Sequence, residues 1–324
     1  MKKPRILLIG TIEQSDVQNW EKANVVAAYD PYSVTRQEES PVEMLSEPCL
    51  DPGYIDAVVF VVPNYDKLPV ELVCRALEQG FSVLIQKLRI NRYDDLDPLR
   101  MLPNKMRNRL YIGEQYRYQP GALAIKQAVK EGRIGAVEYV GWKCTLEMNQ
   151  RASWMNAYQH LVLEDLAYHH MGTLTDILGP IDGIIHARSW CPSWMNDRGY
   201  CSFLLYSDNL VMNYDVRWGA PVIHNNFFGE LVLEGAGGQI WTNGERAVLY
   251  KRKGGAEKLV CPVPKYTGWA GIVNHFCDFL LGVTNPLTGD LFNFDSFDNV
   301  LKLLYAGVMS METGTAVRIS MVEC

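Results

Sequence analysis

Five short apolar runs alternate with helical patterns in the first third of the chain, and this alternation constrains the fold more than any other feature. The runs are "RILLIG", "NVVAAYD", "DAVVFVVP", "FSVLIQK" and "RLYIGEQ". Strands separated by helices feed a parallel sheet through βαβ units. The third run is apolar without alternation, as a strand covered on both faces must be, so it is expected at the centre of the sheet. Between runs three and four, "LPVELVCRALEQG" carries Val70, Val73 and Leu77 at helical spacing, with Pro69 suited to a first turn and Gly80 to the end. That helix returns the chain for a parallel neighbour.

After residue 118 the pattern changes. One more helix, "GALAIKQAVKEGRIG", leads into long strands rich in aromatic and β-branched residues. "AVEYVGWKCTLEM" places Val140, Trp142, Cys144, Leu146 and Met148 on one side, and "YCSFLLYSDNLVMNYDVRW" reads as a hairpin turning at Ser207, Asp208 and Asn209. "LVLEGAGGQIW" joins two strands and opens no helix, so it is a β-turn rather than a phosphate loop. The expected fold is α/β: a Rossmann-type parallel sheet over residues 1–118, then an α+β domain over 119–324 built on a large, mainly antiparallel sheet. A chain of 324 residues, 48% apolar, has the length and core for two such domains.

Charge narrows the partners. A net charge of -6 offers no broad basic surface, which excludes nucleic acid and anionic membranes as partners on electrostatic grounds. The longest apolar run, around "AVVFVV", is far short of the ~18 residues of a membrane span, and "MKKPRILLIGTIEQ" has too brief an apolar stretch for a signal peptide. The expected location is the cytoplasm. Eight cysteines are scattered without a C-x-x-C pair or a following His at ligand spacing, so they are read as mostly buried thiols, with no metal site.

In an open parallel sheet, ligands gather at the carboxyl ends of the strands. Gly10 ends the first run and opens the turn through Thr11 and Ile12; Asp30 ends the second, 20 residues on; Lys87 ends the fourth. A dinucleotide fingerprint would read G-x-G-x-x-G, yet only Gly10 is present, with Ile12 and Ser15 at the other two glycine positions. Asp30 can accept hydrogen bonds from an adenosine ribose, and its carboxylate favours NAD over NADP; its alternative is a turn former in "YDPY". Further along, "LVLEDLAYHHMGTLTDILG" reads as a helix over 161–179 with Leu163, Leu166, Leu174 and Leu178 toward a core. Asp165 and His169 are four apart and share a seam with Thr173 and Asp176. A carboxylate so placed orients the imidazole and raises its basicity, making a general base near neutral pH. On local sequence alone, an Asp/His pair on a solvated helix face is the commoner arrangement. His170 is read as structural.

The order of these elements resembles the glucose-fructose oxidoreductase, inositol dehydrogenase and rhizopine-catabolism family (Gfo/Idh/MocA) over nearly the whole chain. "VVPNYDKLPVELVCRALEQGFSVLIQKL" is similar to its P-N-x-x-H, A-L-x-x-G and E-K-P segment, "QYRYQP" to its N-x-R-x-x-P, and "EDLAYHHMGTLTDILG" to its D-x-x-x-H helix ending in glycine. The closing "SFDNVLKLLYAGVMSMETGTAVRI" resembles its last helix and strand. The resemblance implies NAD, or NADP, as cofactor, with Pro63, Asn64 and Gln86 beside it. It implies catalysis by Lys87, Asp165 and His169: His169 takes the proton of a substrate hydroxyl, Asp165 orients the ring, and Lys87 stabilises the alkoxide. Sugars, inositols and related polyols are the implied small-molecule substrates. Tyr116, Arg117, Trp154 and Asn156 match positions that face the substrate.

The departures cluster on the cofactor side. Ile12 stands where a glycine lets the backbone approach the pyrophosphate, and its branched Cβ obstructs that approach. Glu13 and Asp16 put carboxylates near a helix N-terminus that would receive a phosphate, where each such like-charge pair costs on the order of 1 to 4 kcal/mol at ~4 Å; the alternative is that they cap the helix. The helix, roughly "SDVQNWEKA", is short. Gln86 and Leu88 replace Glu and Pro around the lysine, and Lys67 replaces the His of "PNYDK". Three readings stay open: a polyol or sugar oxidoreductase with an altered grip on the pyrophosphate, a ligand-binding or regulatory relative without redox turnover, and a non-redox lyase or glycosidase with tightly held NAD. Both enzyme readings need a dry cleft where Lys87 meets His169. Trp142, Trp190, Phe203, Tyr206, Trp218 and Phe227 exceed what one core face absorbs, so part of the sheet is expected to pack against a second copy in a homodimer or homotetramer, unless a helix covers it.

Overall fold

The computed structural model describes residues 2–10, 17–30, 42–61, 69–88, 93–147, 155, 158–194, 199–221, 225–284, 287 and 289–322. Thr11, Ile12, Pro63, Asn64, Trp154 and Asn156 lie outside the described residues, as do Glu13, Ser15, Asp16, Lys67 and Met148. The fold is α/β, with a parallel Rossmann-type sheet and a second, mostly antiparallel one. Two compact units hold the two sheets: Met1–Gln115 with Pro264–Phe297, and Tyr116–Val263 with Asp298–Glu323. Segment 264–297 falls within the stretch expected as the second domain, yet it belongs to the first unit, where Phe276 and Phe279 pack on Tyr111. The longer helices are α1 (Val70–Glu78), α2 (Pro120–Lys130), α3 (Ala167–Leu178), α4 (Gly268–Leu280) and α5 (Phe294–Thr313).

In the first unit the strands are β1 (Arg5–Gly10), β2 (Asn24–Tyr29), β3 (Glu43–Met44), β4 (Ala57–Val61), β5 (Ser82–Ile85) and β6 (Leu110–Ile112), in sheet order β6-β5-β4-β1-β2-β3. All pair in parallel, and a short antiparallel strand, Phe292–Asn293, closes the β6 edge. All five residues of β4 are buried, which accounts for its unbroken apolar run. Helix α1 buries Val73 and Leu77 as their spacing requires; Pro69 is its N-cap rather than part of the first turn. β3 has two residues, too few for a sequence pattern to mark.

Gly10 is demanded by the sheet itself. Its φ of 119° lies where side chains are strained, and a Cβ there would collide with the Val61 carbonyl oxygen of β4. The first glycine of the fingerprint is therefore explained without reference to any ligand.

In the second unit the strands are β7 (Val137–Leu146), β8 (Ile184–Trp190), β9 (Tyr200–Tyr206), β10 (Val211–Trp218), β11 (Glu230–Gly235), β12 (Gly238–Thr242), β13 (Ala247–Lys251) and β14 (Ala256–Lys258). The sheet order is β14-β13-β12-β11-β7-β10-β9-β8, with Val317–Arg318 at the β8 edge. β7 and β10 are parallel neighbours; the other pairs are antiparallel. The β9–β10 hairpin turns at Ser207–Asn209, and Gly235 faces Gly238 across the β11–β12 turn.

The aromatic residues divide between the two faces. Trp142, Phe203 and Trp218 are buried on the inner face, against which α3 packs through His170 and α5 packs where Gly307 meets Ile185. A helix covering that face thus accounts for half of the aromatic residues singled out. Tyr206 and Trp190 are exposed on the outer face, where Ile184, Tyr206, Val211 and Tyr139 form a row across four strands. Phe227, also exposed, lies in the loop before β11.

The cysteines depart from expectation. Cys144, Cys201 and Cys277 are buried, but Cys74 and Cys261 are half-buried and Cys49 and Cys191 exposed. Burial pushes the Cys144 and Cys277 thiols up to about 12. No helix among the described residues is long and apolar enough to cross a membrane. Replacing Gly10 with Ala is expected to cost at least about 1–3 kcal/mol, because a strained φ is combined with a backbone collision. Urea denaturation should show the loss as a lower midpoint with an unchanged slope.

Candidate functional site

The parallel sheet of the first unit brings four of the candidate residues to the carboxyl ends of its strands. Gly10 ends β1, Asp30 follows β2, and Gln86 and Lys87 follow β5. Asp30, Gln86 and Lys87 are half-buried. The Gln86 N–H donates to the Phe60 carbonyl at 3.0 Å, and the Gly113 N–H donates to the Ile85 carbonyl at 2.8 Å, so β4 and β6 hold both sides of the β5 exit. Leu88, where the resembled motif has proline, is fully buried and anchors the residue after the lysine by packing. Strand order reverses between β1 and β4, and chain connections leave these two strands in opposite directions, which is where doubly wound sheets leave a crevice. Glu114, 1% exposed just past β6, is a buried carboxylate that the strand pattern did not single out.

In the second unit the Asp165/His169 segment departs from an ordinary helix. Val162–Leu166 form a π turn, and α3 begins at Ala167. All five π-turn residues are buried, as is Thr173. This overturns the solvated-face arrangement: Asp165 is only 9% exposed, and His169 is half-buried. Single π turns occur frequently at functional sites, because the extra residue re-aims the side chains that follow. Nothing in local sequence signals one.

Aromatic packing sets the His169 ring. It stacks on Tyr116 at 4.9 Å between centroids and 26° between planes, and meets Tyr168 edge-on at 5.3 Å. Tyr116 opens the 3-10 turn Tyr116–Tyr118, which its neighbour holds in place. The Arg117 guanidinium, 3% exposed, donates to Asp176 Oδ1 at 2.7 Å, while Lys126 Nζ of α2 donates to Oδ2 at 2.8 Å. Asp176 on α3 thus ties the turn and α2 to the helix that carries His169. Burial lowers the Lys126 ammonium, partly offset by the Asp176 charge. Deleting one partner of such a buried pair costs about 3–5 kcal/mol, since the other charge is then left unpaired.

His170 points the other way, into the core. Its Nε2 lies 2.9 Å from the Phe227 carbonyl and its Nδ1 2.9 Å from the Tyr214 hydroxyl, and its ring stacks on Trp142 at 4.4 Å. A carbonyl can only accept, so Nε2 carries the proton and Nδ1 accepts from Tyr214. Complete burial lowers the imidazolium to about 3 and raises the Tyr214 phenol well above its ordinary value, so both groups stay neutral. His170 is therefore structural, in accord with the sequence reading.

The sequence matches no family model and no curated protein. Solved structures share the fold over the whole chain. An oxidoreductase from Agrobacterium radiobacter, solved with NAD+, L-tartaric acid and magnesium, is 18% identical, with 99% of this chain and 100% of that one covered at a TM-score of 0.75. An oxidoreductase from Thermotoga maritima is 19% identical, with 98% and 99% covered and a TM-score of 0.75. An NAD-binding oxidoreductase from Klebsiella pneumoniae is 16% identical, with 98% and 99% covered and a TM-score of 0.75. At these identities the likeness establishes the architecture.

The neutral His170 has a pH signature. Between about pH 3 and pH 6.5 the unfolded chain binds a proton at this site that the folded chain refuses. Its contribution is complete above pH 6.5 and is lost as pH falls toward 3, at up to about 1.4 kcal/mol per unit. Chemical denaturation across this range should show a shallower slope for His170→Asn than for the wild type.

Proposed function

We propose that the protein is a nicotinamide-dependent oxidoreductase that acts on a CH–OH group, or on the corresponding carbonyl, of a sugar, inositol or related polyol, with NAD favoured over NADP. The observation that carries the reading is the placement of Asp30 and Lys87 at the carboxyl ends of β2 and β5, on a sheet whose strand order reverses between β1 and β4. Asp30 fits the ribose end of a dinucleotide, while Ile12, Glu13 and Asp16 depart from the pyrophosphate end. Asp30 offers its carboxylate to the adenosine ribose and would repel a 2′-phosphate. The Agrobacterium, Thermotoga and Klebsiella proteins are oxidoreductases of the same architecture, which adds support by analogy.

When bound, the nicotinamide supplies a hydride acceptor in oxidation and a donor in reduction. The protein's own residues handle the proton and the charge. In oxidation, His169 accepts the proton of the substrate hydroxyl as hydride leaves the same carbon, and the C–O bond becomes a carbonyl; reduction reverses both transfers. Asp165 orients the imidazole. Lys87 stabilises the alkoxide that develops as the proton departs, by a charge-assisted hydrogen bond. Tyr116 holds the His169 ring in plane and forms one wall for the substrate, and Arg117 fixes Tyr116 through Asp176.

Turnover of a panel of sugars and inositols, followed by nicotinamide absorbance, tests the reading. Lys87→Met and His169→Ala are each expected to lower turnover at least about 100-fold while leaving the far-UV spectrum unchanged. Wild-type turnover in either variant contradicts the assignment. Absence of both turnover and nucleotide binding would favour a ligand-binding role, which the carboxylates Glu13 and Asp16 and the bulk of Ile12 would then explain.

The reading extends to assembly. The row of exposed Tyr206 and Val211 flanked by half-buried Ile184 and Tyr139 lies on a face that a second copy can cover, giving a homodimer or homotetramer. Light scattering should give a mass of at least two chains, and a strict monomer at micromolar concentration contradicts it.

A further inference from the structure

The crossover from β1 to β2 is brief. Its described part, residues 17–23, has helical geometry only at Val17 and Gln18 and is turn by Asn19. Here the holding groups come from α4, some 250 residues away in sequence.

Asn274 is central to this contact and is 1% exposed. Its Oδ1 accepts the Lys22 backbone N–H at 2.8 Å, and its Nδ2 donates to the Asn19 carbonyl at 3.1 Å and the Ala270 carbonyl at 2.9 Å. The partners fix the amide orientation, because a backbone N–H can only donate and a carbonyl only accept. Lys22 Nζ reaches both carboxylate oxygens of Asp278, one turn further along α4, at 2.7 and 2.6 Å. Glu21 accepts from Lys265 Nζ at 2.8 Å and from the Tyr266 hydroxyl at 2.7 Å. Trp20, 2% exposed, meets Trp269 edge to face at 6.2 Å. Every residue from Asn19 to Lys22 is thus engaged by segment 265–278. Trp269 also reaches the end of β6, where a Cβ on Gly113 would meet its ring and the Gln86 carbonyl. The same helix therefore touches the crossover and lies beside the strand end that carries Lys87.

We infer that Asn274 is a positioning residue for the dinucleotide site, acting through Asn19 and Lys22: α4 braces the described end of the β1–β2 crossover. This rests on the nicotinamide reading above. A side chain that merely filled space would be replaceable by an apolar one of similar volume. Asn274 is not, because two arms of one amide hold two points of the crossover backbone.

The test compares wild type, Asn274→Leu and Asn274→Asp by amide hydrogen exchange and by calorimetric titration with NAD+. In Asn274→Leu the Lys22 amide should exchange about tenfold faster or more, with β9 and β10 of the second unit unchanged, and the Kd for NAD+ should rise about tenfold. Asn274→Asp keeps the acceptor for Lys22 and loses both donors, so its Lys22 amide should stay better protected than in the Leu variant. Should Asn274→Leu fail to fold, Lys22→Met, which removes only the ion pair with Asp278, should move both readouts the same way by about threefold. Wild-type exchange at Lys22 in Asn274→Leu, or faster exchange with an unchanged Kd, overturns the positioning role alone. A wild type that binds no dinucleotide overturns it together with the nicotinamide reading.

Discussion

Strand β1 pairs in parallel with β2 on one side and β4 on the other, and the site of the first unit depends on that double pairing. Parallel pairing forces each connection to cross back over the sheet, and the two connections from β1 and β4 must leave in opposite directions. Ile6, Leu7 and Ile9 are fully buried, as are Ala57–Phe60, so the register is held by core packing on both faces. The pairing runs out to Gly10 and Val61, where only a residue without Cβ fits. Asp30, Gln86 and Lys87 reach one edge of the sheet because their strands are in phase with this pair.

The second unit organises its chemistry differently, by how its buried polar side chains are partnered. Arg117 and Lys126 each lie within hydrogen-bond reach of Asp176, so these charged side chains have opposite partners. His170 loses its charge because its partners are a carbonyl and a phenol, neither of which offsets the cost of burying an imidazolium. The adjacent histidines on α3 therefore take opposite roles. His170 joins the helix to β10 and to the Phe227 loop, and His169 is left half-buried against Tyr116, open to the chemistry proposed for it. A neutral pin is suited to this: it does not titrate in the range where a general base must.

Much of this was legible in the sequence because it is local. Apolar runs such as "DAVVFVV" and alternations such as Val140, Trp142, Cys144 and Leu146 report burial directly, and the strands follow them closely. The placement of Lys87 at a strand end and of Asp165 and His169 on one segment came from the same local patterns. The rest depends on contacts that no window of sequence contains. Arg117 and Asp176 are 59 positions apart, and Asn274 is 252 positions from Lys22. The π turn at Val162–Leu166 arises in a segment whose residues are buried on every side, so amphipathic periodicity had nothing to mark. Exposure of the Asp165 seam was misjudged for the same reason: a helix embedded in a core shows no polar stripe of its own.

A sheet that retains one glycine of the fingerprint is proposed to bind a nicotinamide dinucleotide all the same. Calorimetric titration of the purified protein with NAD+, NADH, NADP+ and NADPH, after absorbance and mass spectrometry have checked for copurified nucleotide, tests it most directly. One site per chain is expected, with a Kd at about the micromolar level or tighter and tighter binding of the form lacking the 2′-phosphate. Absence of binding heat from all four nucleotides, with none copurified, would contradict it.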